Sequence, residues 1–375
     1  MQRLLTLLLC AGLAACATPA VQETPPPAEA SVAPEPQPAT VPTAWRHVPG
    51  ADVQTDSPWW KALRDETLNT LILQALQANP DIHIAETRMG QIEASLADTD
   101  PDEQAAAAAA IHAAENDLRV VRQGVAHAVA LAYLDARLSE RRAELLHQRT
   151  QLARDLTQAL HKKVMAGIGS LGTLREQEQS ELDIHQARTR THHEHEQAWS
   201  RLAMLLGTAP VELTLPPAND TPWTDLIAPP IDTPATVMSR RPDVQAAWHK
   251  LLTVNALPTD DSDAPLLTQI DQAESTVASR NALYQKTVLT ALQDVEISLS
   301  GWRTASSELK ASQDMLDLLT ANERDVQRAL SAGRVSRIEL LKSQFALNLA
   351  QDNVLAAAHA KHVAFAALQL ALARD

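Results

Sequence analysis

"HKKVMAGIGSLGTLREQ", residues 161–177, interrupts a long, charged, Ala-rich stretch that otherwise reads as unbroken helix. Gly167, Gly169 and Gly172 fall within six residues of one another, in a chain with only ten glycines. A second tract, "RALSAGRVSRIELLKSQ" at 328–344, repeats the Ala-Gly pair, the Ser three residues on and the Leu beyond. Glycine supplies the positive-φ geometry that ends a helix and reverses the chain. Both tracts are therefore expected at the far tips of long helical hairpins.

Working outward, the chain divides into two related halves. Asn79-Pro80-Asp81-Ile82 returns as Arg241-Pro242-Asp243-Val244, 162 residues later, and at that offset Gln123 meets Gln285 and Val129 meets Ala291. Around the tips the offset becomes 166: Gly167 meets Gly333, Ser170 meets Ser336, and Leu206 meets Leu372. Four extra residues are about one helical turn, an insertion that nearly keeps each face where it was. Three-four spacing of Leu118, Val121, Val125, Ala128 and Ala132, and again of Leu145, Leu152, Leu156 and Ala159, predicts helix from about 103 to 165. The second copy runs from about 267 to 332 in the same way, and shorter helices return toward Leu206 and Ala373. A 60-residue helix is roughly 90 Å long and cannot bury its narrow stripe alone, so it must pack along other helices. The fold class is mostly α, with long antiparallel hairpins in two tandem repeats of α-barrel or coiled-coil type.

Composition agrees and excludes several functions. Aromatic residues are 3% of the 375, too few for a conventional compact core, while Ala, Leu, Gln, Glu and Arg dominate as in long helices. A net charge of −14 with no basic cluster argues against nucleic acid as a partner. Met1-Gln2-Arg3 followed by the apolar run to Leu13 reads as a signal peptide, residues 1–15, and "LAAC" at 13–16 matches the bacterial lipobox with Cys16 as the lipidated residue. Cys10 leaves with the signal, so no thiol remains for a disulfide or a metal. Residues 16–43 are Pro-rich and read as an extended tether. The first helical repeat is then assigned to 44–208, a Pro-rich connector to 209–232, and the second repeat to 233–375.

The lipobox with its tether, "SPWWKALRDETLNTLILQALQANPDI", "RRPDVQAAW", "YQKTVLTALQDVEISL" and both glycine tips carry a likeness along nearly the whole mature chain. The chain resembles the TolC-like outer-membrane factors, in their efflux and nodulation-type lipoprotein branch. That resemblance implies a homotrimer forming a periplasmic tunnel, anchored to the outer membrane by its lipid and facing the periplasm. It also implies docking to a periplasmic adaptor (membrane fusion) protein, and through it to an inner-membrane pump. The docking positions would be Gly167, Ile168, Ser170 and Leu171 in one tip and Gly333, Arg334, Val335 and Ser336 in the other. Glu339 falls on the family's acidic entrance ring, and Lys342 falls on the next ring position with the opposite sign; the alternative for the pair is a one-turn helix salt bridge.

One departure occurs twice. The family inserts two membrane-spanning β-strands into each copy, and such strands need about 9–11 residues of alternating polarity with aromatic girdles. The corresponding stretches are "EASLADTDPDEQAAAAAA" and "LLTVNALPTDDSDAPLLTQI", acidic connectors without Tyr, Phe or Trp. The expectation is a tunnel section of a tripartite efflux or type I secretion system without its own outer-membrane pore. The alternative is a structural coiled-coil envelope lipoprotein, a spacer or decoy with no transport role. His185, His192 and His195 around "THHEHEQ" raise a metal reading, but "HEHEQ" lacks the second histidine of the zinc-protease pattern and reads first as a polar helix face. No phosphate loop and no nucleophile elbow is present, so neither catalysis nor a cofactor is expected.

Overall fold

The structure, a computed structural model, describes residues 39–46, 58–96, 104–216, 226–227, 229–255 and 266–374, and side chains within these except 254–255 and 266–275. Cys16, the signal peptide and most of the tether lie outside the described residues. Among the described residues, a short 3-10 turn at Trp59–Leu63 is followed by eight helices: α1 (Glu66–Ala78), α2 (Pro80–Leu96), α3 (Gln104–Met165), α4 (Leu171–Leu205), α5 (Pro234–Arg240), α6 (Pro242–Asn255), α7 (Leu266–Ser331) and α8 (Arg337–Ala371). Among the described residues there is no strand. The order short, short, long, medium occurs twice. α3 has 62 residues and α7 has 66, while α4 and α8 each have 35, so the four-residue change of offset lies inside α7 as one added turn.

The long helices pack because their buried positions repeat every seven residues. In α3 the seam holds Val125, Ala132, Ser139, Leu146 and Ala153, in α4 Ile184, Thr191, Ala198 and Leu205, and in α7 Val288, Val295, Trp302 and Leu309. A heptad seam keeps facing its partner only if the helices wind gently around each other, which is coiled-coil packing. Small residues in the seam let the axes approach closely and leave little for aromatics to fill.

α3 packs against α4 and α8, and α8 packs against α3 and α7, so the long helices lie in the order α4–α3–α8–α7. α8 is therefore an inner helix: fourteen of its 35 residues are buried, against seven of 35 in α4. Its composition alone would let it cross a membrane; its place between α3 and α7 is the reason it is so apolar. α1, α2, α5 and α6 pack on the long helices away from the tips, forming a belt around Ile72, Val129, Leu206, Val244 and Leu372.

At the end opposite the tips, only residues 97–103 join α2 to α3 and only residues 256–265 join α6 to α7. A pair of spanning strands needs roughly twice 9–11 residues, more than either connector contains.

Candidate functional site: the two hairpin tips

The first tip is closed by hydrogen bonds that follow from one glycine. Gly167 takes φ +72°, its N–H donates to Val164 O at 3.0 Å, and Ile168 N–H donates to Lys163 O at 3.0 Å. This pairing satisfies the last carbonyls of α3 and reverses the chain. Gly169 is needed for a different reason: a Cβ there would lie 2.7 Å from Val164 N. Ser170 then caps α4, its side chain accepting from Thr173 N–H.

The second tip repeats the glycine turn, with Val335 where the first has Gly169. Gly333, at φ +71°, donates to Leu330 O at 2.9 Å, and Arg334 N–H donates to Ala329 O at 2.9 Å. Ser336 caps α8 with Glu339 as its reciprocal partner: the Ser336 N–H donates to Glu339 Oε2 at 2.8 Å and the Ser336 hydroxyl at 3.2 Å. These bonds hold the Glu339 carboxyl below the usual carboxylate range, with Lys163 and Lys342 contributing. Glu339 is thus a helix cap on an exposed turn, and Lys342 is a charge near it.

The two tips stand side by side. Leu156 of α3 clusters with Ile338 and Leu341 of α8, with Leu152, Ala159 and Leu160 packed around them. The shared glycines and serines encode the turn itself, so the residues that differ carry the chemistry. The first tip presents Met165, Ile168 and Leu171 at 75%, 75% and 60% exposure. The second presents Arg334 and Arg337, the latter 3.7 Å from Asp155.

The histidines lie elsewhere, along α4. His185, His192 and His195 line a groove with Ser139, Glu140 and Arg188. His195 Nδ1 lies 3.1 Å from Ser139 Oγ, whose own proton goes to Ala136 O at 2.7 Å. Among the described residues no three His, Cys, Asp or Glu side chains come together as a metal-holding group.

The belt contains contacts that the sequence marked without explaining. Asn79 Nδ2 donates to Leu205 O at 2.8 Å, closing the C-terminus of α4, while Asn79 Oδ1 accepts from Asp81 N–H at 2.9 Å. Its counterpart Arg241 donates to Ala371 O at 3.0 Å, closing α8, and also binds Asp243 at 2.7 Å and Asp294 at 3.2 Å. The repeated Asn-Pro-Asp and Arg-Pro-Asp therefore serve one task twice. Each starts a short helix and caps the end of a long one.

With this geometry in view, solved structures give the comparison. The outer-membrane channel OprN superposes with a TM-score of 0.77 at 19% identity, over 92% of this chain and 99% of that one. The fold is that of the outer-membrane channels. MtrE, the outer-membrane channel of Neisseria gonorrhoeae in its open state, superposes with a TM-score of 0.75 at 16% identity, over 92% and 98% of the two chains. CusC, a protein of transmembrane channel formation, gives 0.74 at 17% identity over 92% and 100%. No family profile and no curated protein sequence matches the chain. The likeness therefore lies in the fold, and these similar structures are of channels.

Proposed function

We propose that this chain is an outer-membrane-factor-like component of a tripartite efflux or type I secretion system: a periplasmic helical tunnel section that docks an adaptor through its two tips and lacks a pore of its own. The observation that carries the reading is the first tip. Three large apolar side chains stand exposed at the end of a hairpin whose longer helix, α3, is roughly 90 Å long, on a turn rigidly closed by hydrogen bonds. Exposed apolar groups clustered on a rigid support mark a contact surface. In this reading Gly167, Ile168, Ser170 and Leu171, with Gly333, Arg334, Val335 and Ser336, meet the adaptor, and the adaptor meets an inner-membrane pump. Glu339 and Lys342 lie just inside the entrance.

Assembly follows from the edges. α4 and α7 flank the four long helices, and they carry most of the exposed apolar residues of those helices: Leu182 and Met204 on α4, and Leu289, Ile297, Met315 and Leu318 on α7. The two edges differ, so one edge meets the other edge of a neighbouring copy and the ring closes; the resemblance sets the number at three. The lipid on Cys16 and the tether 16–43 hold the tunnel at the outer membrane, with 44–208 and 233–375 as its repeats and 209–232 between them.

The test is crosslinking of the full chain to a periplasmic adaptor from the same cell, read beside transport. Ile168→Asp with Leu171→Asp leaves helicity unchanged and abolishes both the crosslink and transport. A chain that captures no adaptor in its unsubstituted form is a spacer, and the transport reading falls.

A further inference from the structure

Trp59 and Trp60, the two tryptophans of the "WW" motif, border a cleft of about 360 Å3 with Leu76 of α1, Arg119 and Arg122 of α3, and Arg374 beyond α8. A cleft this size is within the range that holds small ligands. Its wall is apolar on one side: the indoles meet edge to face with centroids 5.8 Å apart, and Trp60 is fixed by its N–H donating to Asn69 Oδ1 at 3.1 Å.

The other side is cationic, and one of its groups is unsatisfied. Arg374 is 8% exposed. Its Nη2 donates to Pro230 O at 2.6 Å and lies 3.4 Å from Asp232, and among the described residues its buried Nε has no hydrogen-bond partner. Asp232 is shared, since Arg240 Nη2 binds it more closely at 2.7 Å. Burial lowers the pKa of Arg374 and the nearby Arg240 adds to the lowering, against Asp232, which raises it. Arg122 meets Glu86 only at 3.5 Å, with both groups open to solvent. Arg119 donates to the neutral amides of Asn116 and Gln245. A guanidinium that lines a cleft suits an oxyanion, which its planar set of N–H donors can meet with charge-assisted hydrogen bonds.

We infer that this cleft is a binding site for a small anion with an apolar body, a carboxylate or phosphate ester whose charged group lies against Arg374 and Arg122 and whose apolar part lies against the tryptophans and Leu76. The site is independent of the tips. Arg122 is 43 residues from the end of α3, roughly 65 Å at 1.5 Å per residue. It lies in the belt, where Trp45 Nε1 donates to Asp232 O at 2.7 Å and the N-terminal segment, the connector and the chain's last residues meet. A ligand here would tighten that junction.

The experiment is calorimetric titration of the full chain in mild detergent with phenyl phosphate, benzoate and inorganic phosphate. The expected result is saturable binding of an aromatic anion, the tighter of phenyl phosphate and benzoate showing which charged group the site prefers. Arg374→Gln weakens it by about tenfold or more, the loss of a charge-assisted bond. Because Arg374 also ties the belt together, Arg122→Gln is the second variant; its side chain is half exposed, so the fold is kept while binding weakens several-fold. Absence of saturable binding by the unsubstituted chain overturns the inference. So does binding in a folded Arg122→Gln variant that equals the unsubstituted chain's. Inorganic phosphate bound as tightly as phenyl phosphate overturns the apolar half. Ile168→Asp with Leu171→Asp leaves the titration unchanged, so failure here and failure of adaptor docking are told apart.

Discussion

Four residues end the returning and outgoing long helices in the left-handed region: Gly167, Gly207, Gly333 and Ala373, at φ +72°, +67°, +71° and +50°. They are not equivalent in cost. A Cβ at Gly333 meets nothing within 4 Å, whereas one at Gly207 would lie 2.6 Å from Ala78 O. Gly333→Ala therefore loses only the backbone preference, about 1 kcal/mol, while Gly207→Ala adds a backbone clash and costs more than about 2 kcal/mol. Urea unfolding of the two variants reads the difference, and equal losses would contradict the packing at Ala78. Asn79→Ala removes a cap from both α2 and α4 and is expected to cost about 2 kcal/mol by the same measurement.

His362 sets a pH dependence at the same scale. Its pKa falls to about 4, through burial first, then the neighbouring cations, against the bond to Ala358 O that raises it. The unfolded chain takes up this proton near pH 6.5 and the folded chain only near 4, so acidification favours unfolding. Stability from this site is complete above pH 6.5 and declines by about 3 kcal/mol as pH falls toward 4. His362→Gln flattens the stability profile between those values; a variant with the original slope would place the titration elsewhere.

Among the elements, the contrast between inner and edge helices decides behaviour. α3 and α8 are held on two sides and tied across by polar contacts: Arg149 donates to Asn348 Oδ1 at 2.8 Å and lies 3.2 Å from Asp352, which also accepts from Arg142 at 2.9 Å. The lower half of α7 has no such cover, and Met315 and Leu318 stand exposed on it. Leu289→Glu with Leu318→Glu is expected to leave circular dichroism unchanged and to convert the proposed trimer to monomer by native mass. A variant that stays trimeric would show that α7 is not an edge of the assembly. The three-four spacing in the sequence was enough to place α3 within a residue at each end, 103–165 against Gln104–Met165. Along its middle the buried face passes through Leu146, with Leu145 half-buried beside it. The heptad of the partner helix, not the periodicity of α3 alone, chose between them.

For the whole molecule, the short connectors have the largest consequence. With only residues 97–103 and 256–265 at the end away from the tips, the chain in a planar bilayer is expected to give no conductance above background. A defined channel conductance would require membrane strands and would refute the pore-less reading. In the proposed assembly the lipid on Cys16 does the anchoring: Cys16→Ser is expected to release the chain into the soluble envelope fraction, and retention in the membrane would assign the anchor to another segment.

The sequence by itself determined the local conformations and the repeat. Glycine and serine at each tip, heptads between them and one inserted turn are readable because each is set by neighbours within a few residues. The sequence also showed which residues are repeated at 79 and 241. Only the tertiary structure decided what those residues do, because their partners are carbonyls about 130 residues away: Asn79 meets Leu205 and Arg241 meets Ala371. The structure likewise shows the Glu339 carboxylate accepting from Ser336 at the start of α8. Which helices are inner and which are edges was also a tertiary matter. A heptad states that a helix has a partner, and packing alone states how many of its sides are taken.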